Sequence, residues 1–159
     1  MLKLRKNKKG FTLVELIVVI AIMAVLAGTV AGVTVSQLNK SKNDTAASEI
    51  KNLLNDFETF LANYDVSKIT SENTAVTAVG DFNTEKKAAK GITADILKQK
   101  TDQVTTIPKA GKGEYVYTVT YTAAVTGNDP APAKLKLKIW CDKVGSTGAK
   151  PEAERTYEI

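Results

Sequence analysis

Gly10-Phe11-Thr12-Leu13-Val14-Glu15 separates a purely cationic leader from a long apolar run. The leader, Met1 to Gly10, carries Lys3, Arg5, Lys6, Lys8 and Lys9 and no carboxylate. From Phe11 to Val35 the sole ionisable side chain is Glu15. A charge in hydrocarbon costs several kcal/mol unless it is paired, so an acid inside such a run marks a functional position. The run itself is long enough to span a bilayer as a helix.

Three ordinary readings compete for this segment. A secretory signal also has a basic start and an apolar core, and Val25-Leu26-Ala27 would serve as its cut site. Such cores seldom hold an acid five residues in, and no polar cleavage region follows Ala27. A plain membrane anchor gives no reason for Glu15 or for the flush Lys8-Lys9-Gly10-Phe11 junction. A core helix of a water-soluble fold would not be so uniformly apolar over such a length.

Lys8-Lys9-Gly10-Phe11-Thr12-Leu13-Val14-Glu15-Leu16 resembles the class III signal segment of type IV prepilins. The resemblance covers the first 35 to 40 residues and says nothing of the rest. It implies cleavage after Gly10 by a dedicated peptidase, N-methylation of the new terminal Phe11 by the same enzyme, and an assembly role for Glu15. It also implies a filament of like subunits, an assembly platform, and lipid as the medium before assembly. The fold it implies is a long helix on a small antiparallel sheet. A steric reason supports Gly10, because a peptidase reading this junction needs a residue without a side chain at the scissile bond. In that setting Glu15 would neutralise the freed Phe11 amine of a neighbouring subunit, setting register more than strength. Pairing with its own terminus is the alternative, expected before assembly. A pseudopilin of a type II secretion or competence apparatus uses the same device and is the runner-up. A monomeric membrane-anchored binding domain is a third reading.

Composition narrows the partners. The chain has 159 residues, 43% of them hydrophobic, enough for one modest domain beyond the N-terminal segment. The formal charge of +5 comes from the leader: the 22 Lys and Arg less its five leave 17, against 17 Asp and Glu. The pI near 9.2 is therefore no nucleic-acid signature. Lys8, Lys9 and the other leader cations fit the positive-inside rule, with the leader cytoplasmic. Cys141 is the one cysteine, so no internal disulfide can form. Many Gram-negative pilins close a C-terminal loop with a disulfide; a lysine-rich, cystine-free chain is more similar to pilins of Gram-positive bacteria. Histidine is absent, which removes His-based triads and the usual zinc sites. We find no catalytic residues, no metal ligands and no cofactor motif, and expect a structural subunit rather than an enzyme.

The fold class read from the pattern is α+β. Residues 1–10 form the leader, 11–35 the membrane-spanning or filament-core half of one helix, 36–64 its amphipathic half, and 65–159 a C-terminal globular domain. On a wheel of 100° per residue, Ile50, Leu53, Leu54, Phe57, Phe60, Leu61 and Tyr64 fall within a roughly 120° arc, a stripe broad enough to pack on a sheet. The whole helix would run about 53 residues and about 80 Å. Between its halves, Gly28, Thr29, Val30, Gly32, Val33, Thr34 and Val35 are poor helix formers. Gly28 and Gly32 read either as a segment that stretches on assembly or as a close helix–helix contact. Many pilins place a proline where Gly32 stands, so a proline-triggered break is not expected here.

Beyond Tyr64 we expect a connection over Asp65 to Asn83 with a short strand at Ala75 to Val79. A helix follows over Thr84 to Lys100, interrupted at Gly91, with Ile92, Ile96 and Leu97 facing the core. Strands are expected at Tyr115 to Thr122, at Lys134 to Trp140 and, as an edge, at Thr156 to Ile159, giving an antiparallel sheet of three or four strands. Lys134, Lys136 and Lys138 read as a solvated edge face rather than a nucleic-acid surface, since no aromatic residues interleave there. Tyr115, Tyr117 and Tyr121 read as a half-buried ladder. Gly145-Ser146-Thr147-Gly148 lacks the lysine and spacing of a phosphate loop. Asn39-Lys40-Ser41 and Asn43-Asp44-Thr45 fit the glycosylation sequon but fall on helix, where modification is not expected.

Overall fold

The computed structural model describes residues 10–104, 106–127, 129–146 and 148–159. They form α1 (Leu13–Asn63), a 3-10 turn (Val66–Lys68), α2 (Glu72–Lys90), β1 (Leu97–Gln99), β2 (Tyr115–Thr122), β3 (Lys134–Trp140) and β4 (Glu152–Glu158). Two compact units divide between Leu38 and Asn39, with α1 running through both.

In the first unit every described side chain through Leu38 is exposed. The second unit is built on the apolar stripe of α1. Ala46, Ile50, Leu53, Leu54, Phe57 and Leu61 are buried in one cluster with strand residues Tyr115, Tyr117, Val119, Leu135, Leu137, Ile139 and Tyr157. Phe57 is its centre, with ring centroids 5.3 Å from Phe82 and 5.4 Å from Tyr157, both edge-on. That geometry sets the positive edge of one ring against the negative face of another.

The region before the sheet differs from expectation. Residues 72–90 form α2, so Ala75 to Val79 is helix rather than strand, and the helix begins twelve residues before Thr84. The reason is a face and a cap. Ala75, Ala78, Val79 and Phe82 recur at helical spacing and all are buried against the core. Ser71 Oγ accepts from Thr74 N while Thr74 Oγ1 accepts from Ser71 N, a capping box. At the far end Gly91 adopts φ +64°, a left-handed cap that ends the helix instead of interrupting it. Ile96 and Leu97 are buried as expected, whereas Ile92 is 42% exposed.

The sheet order is β1-β2-β3-β4. β2–β3 and β3–β4 are antiparallel, but β1 adds a parallel partner to β2, so the four-stranded sheet is mixed rather than wholly antiparallel. Parallel neighbours need a crossover of a dozen or more residues, and residues 100–114 supply it. β4 begins earlier than expected, at Glu152. This changes the setting of the lysine row. β3 is an inner strand, not an edge, and its lysines face β4 carboxylates: Lys136–Glu154 at 2.9 Å, Lys138–Glu152 at 3.4 Å and Lys134–Glu158 at 3.9 Å.

Candidate processing and assembly segment

Gly10, Phe11 and Thr12 lead into α1 as exposed, non-helical residues, and Phe11 is 88% exposed. Thr12 caps the helix. Its Oγ1 accepts from Glu15 N at 3.3 Å, and Glu15 Oε2 accepts from Thr12 N at 2.9 Å and Thr12 Oγ1 at 2.8 Å. The two residues satisfy each other's backbone donors, and the carboxylate sits where the helix dipole favours negative charge. Both of these bonds fall on Oε2; Oε1 accepts none among the described residues. Gly10 and Phe11 thus stand two and one residues outside a closed helix start, with nothing within 4 Å of a Cβ placed on Gly10. Lys8 and Lys9 lie outside the described residues.

The helix from Leu13 is long and apolar enough to cross a membrane, and none of its apolar window is buried within the chain. Val18, Ile22, Met23, Val25, Leu26 and Val33 are among its bare side chains. Gly28 and Gly32 lie within unbroken helix, with open space where a side chain would be. The neighbouring hydroxyls fold back on the backbone, Thr29 Oγ1 to Leu26 O at 3.0 Å and Thr34 Oγ1 to Val30 O at 2.8 Å. That satisfies them without water but weakens the local ladder.

The other singled-out residues take structural places. Tyr115 and Tyr117 are buried and Tyr121 is half-buried; the Tyr115 hydroxyl donates to Glu49 on α1. Burial, together with Glu49, pushes the Tyr115 pKa upward, and burial with Asp95 nearby pushes Tyr117 to about 12. Cys141 is fully buried, and burial followed by Asp142 and Glu49 raises its thiol to about 11, so it is no ready nucleophile. Asn43 is buried, its amide donating to Val144 O at 3.2 Å and accepting from Val144 N at 2.9 Å. The second sequon is thereby closed by packing as well as by helix. Gly145, between β3 and β4, has φ +77°, and a Cβ there would fall 2.8 Å from Asn39 Nδ2.

Sequence reasoning missed three partners. Thr12 was legible, since Thr12-Leu13-Val14-Glu15 is a helix-start signature. Asn43 and Asn83 were not, because an asparagine that clamps a distant loop looks like any polar helix residue. Asn83 is buried, donating to Leu97 O at 2.7 Å and accepting from Leu97 N at 3.0 Å.

Residues 5–31 match the family model of the prokaryotic N-terminal methylation motif, the class III signal segment of type IV prepilins. The motif supports a type IV pilin-like or pseudopilin precursor, a structural subunit rather than an enzyme. With the apolar helix it fits a membrane-anchored precursor processed by prepilin peptidase. No match was found among curated proteins or among solved structures.

Proposed function

We propose that this chain is the structural subunit of a type IV pilus. It is exported as a prepilin with its leader inside, cut after Gly10, N-methylated on Phe11 and polymerised through α1. The observation that carries this reading is the joint placement of Gly10, Phe11 and Glu15 at the start of a helix whose apolar surface has no partner among the described residues. Residues 11–35 form the filament core, residues 36–64 join the core to the outer domain, and residues 65–159 complete that domain, which tiles the filament surface of a Gram-positive cell.

The capping box sharpens the role of Glu15. In the uncut chain the carboxylate is engaged by Thr12 through Oε2. Cleavage creates an ammonium at Phe11, one residue before Thr12. Oε1 is the atom left to meet the Phe11 ammonium of an adjoining subunit. Two charges that are each costly in lipid become tolerable only at the stagger that brings them together. Gly28 and Gly32 serve the same polymer, either easing the helix during transfer from membrane to filament or admitting a neighbouring helix.

Intact-mass analysis of shed filaments tests the whole reading: the expected subunit begins at Phe11 and carries one added methyl. Glu15→Ala should be cut normally yet fail to enter filaments. Gly10→Val should leave the longer precursor in the membrane. Subunits beginning at Met1, or filaments that accept Glu15→Ala freely, would refute it. Electron micrographs lacking surface filaments, with processing intact, would favour a pseudopilin instead.

A further inference from the structure

The two edges of the sheet are finished differently. At β1 the outward backbone groups of Leu97 are closed by the Asn83 amide. At β4 the alternation of an antiparallel ladder fixes which groups face out. Ile159 N donates to Ala133 O and Cys141 N donates to Pro151 O. The odd-numbered residues of β4 therefore bond to β3, and the even-numbered ones turn their N–H and C=O away from it. No backbone hydrogen bond among the described residues reaches those outward groups of Glu152, Glu154, Thr156 and Glu158. The strand is seven residues long, pairs with β3 in one continuous register and has no proline within it. Its cation, Arg155, is paired with Glu58. The devices that commonly blunt an edge strand, a bulge, a proline or a free lysine, are missing from β4.

We propose that β4 takes an added strand from a partner protein, an extended segment in which lysine or arginine alternates with apolar residues. Main-chain bonds supply the affinity of such an addition, and the two side-chain rows choose the partner. The side chains of Glu152, Glu154, Thr156 and Glu158 share the sheet face that carries Lys134, Lys136 and Lys138. Among the described residues the three glutamates form ion pairs with those lysines alone, and their carboxylates stay half-exposed or more. Cations on an added strand would meet them from the opposite flank, as the β3 lysines do from theirs. On the face toward α1, a groove of about 500 Å³ is lined by Leu61, Ala62, Val66, Tyr157 and Ile159, which suits an apolar row. A second copy of β4 fits poorly, because full antiparallel overlap sets Glu152 opposite Glu158 and Arg155 opposite Arg155. All of these residues belong to the second unit.

The test uses the full-length chain in neutral detergent and a synthetic peptide, Lys-Leu-Lys-Leu-Lys-Ile. That is the sequence of residues 134–139, which already pairs with β4 along its other side. Docking is read by amide hydrogen exchange. At ten times its dissociation constant the peptide should slow exchange of the Glu154 and Thr156 amides about tenfold, by mass action. The Arg155 and Tyr157 amides, already bonded to β3, should not change, and they report that each variant is folded. Lys-Lys-Lys-Leu-Leu-Ile, equal in composition but without the alternation, should leave all four amides unaltered. Thr156→Pro removes an outward N–H that the fold does not use and should abolish the slowing at Glu154. Glu154→Gln with Glu158→Gln should weaken peptide binding roughly tenfold, at about threefold for each lost cross-strand charge pair. Outward amides that exchange freely at millimolar peptide, or that both peptides protect alike, overturn the proposal. So does a Thr156→Pro chain, or a double glutamine variant, that binds as the parent does. Protection of Glu154 and Thr156 in the chain alone also overturns it, and loss of that protection on dilution would give the edge to a second copy.

Discussion

Replacing Asn83 by leucine should loosen the sheet at its thinnest point. β1 is only three residues long, and its inner side pairs with β2, with Tyr115 N donating to Ile96 O and Lys100 N to Tyr117 O. The outward groups of Leu97 have no strand beside them; the Asn83 amide supplies both bonds, at 2.7 and 3.0 Å. Leucine keeps asparagine's branched heavy-atom skeleton with bulkier methyl ends, so the change removes the bonds and leaves no cavity. Each buried backbone group left unpaired costs about 1–3 kcal/mol, and the added apolar side chain returns about 1 kcal/mol. The net loss is then about 3 kcal/mol, on the order of a hundredfold in the unfolding constant. Urea unfolding of the second unit, made as a soluble chain from Asn39 and followed at Trp140, measures it. Hydrogen exchange should show the Leu97 amide losing protection before that of Tyr117. Asn73→Leu, on the exposed side of α2, is the control and should stay within about 0.5 kcal/mol. An Asn83→Leu midpoint no lower than the control's, or a Leu97 amide still protected, would refute this account of the clamp.

Phe57→Ala, which empties the centre of the aromatic cluster, should cost about 3–5 kcal/mol in the same unfolding assay. Gly91→Ala forces a side chain into left-handed backbone at φ +64° and should cost about 1–2 kcal/mol, read as a lower thermal midpoint by circular dichroism. Alkaline pH should destabilise the second unit. The folded Cys141 thiol is held up to about 11 from 9.0 and the folded Tyr117 hydroxyl to about 12 from 10.0, so above pH 9 the unfolded chain sheds protons that the folded one keeps. Their contribution is whole below pH 9 and is lost as pH climbs through 11 and 12; urea midpoints across that range check it, and Cys141→Ala should flatten its first part.

The parts of this chain that could be read in advance are those where one interaction dominates. The stripe from Ile50 to Leu61 is helical by spacing and apolar by content, and it forms the core as expected. Lys134 to Trp140 alternates so regularly that strand and facing follow at once. Around residues 75–79, β-branched Val76, Thr77 and Val79 argue for a strand locally, while burial of Ala75, Ala78, Val79 and Phe82 along one helical face decides the outcome. β1 leaves no trace in sequence because it owes its place to Asn83, fourteen residues earlier. Glu152 and Glu154 fall before the expected edge strand at Thr156, and so the acids that answer the lysine row went unseen. At the N-terminal segment six consecutive residues carry the resemblance, and the hydroxyl of Thr12 is the partner there that the sequence reading passed over.

The two asparagine clamps have a consequence for where the second unit is able to fold. Where extracellular domains of this size are commonly stapled by cystine, here side-chain amides lace the β1 and Val144 segments to the helices, and the one sulfur is sealed inside. Amide lacing needs no oxidant, no isomerase and no particular redox poise. The domain should therefore reach the same fold in reducing and oxidising surroundings alike and survive strong reductant unchanged.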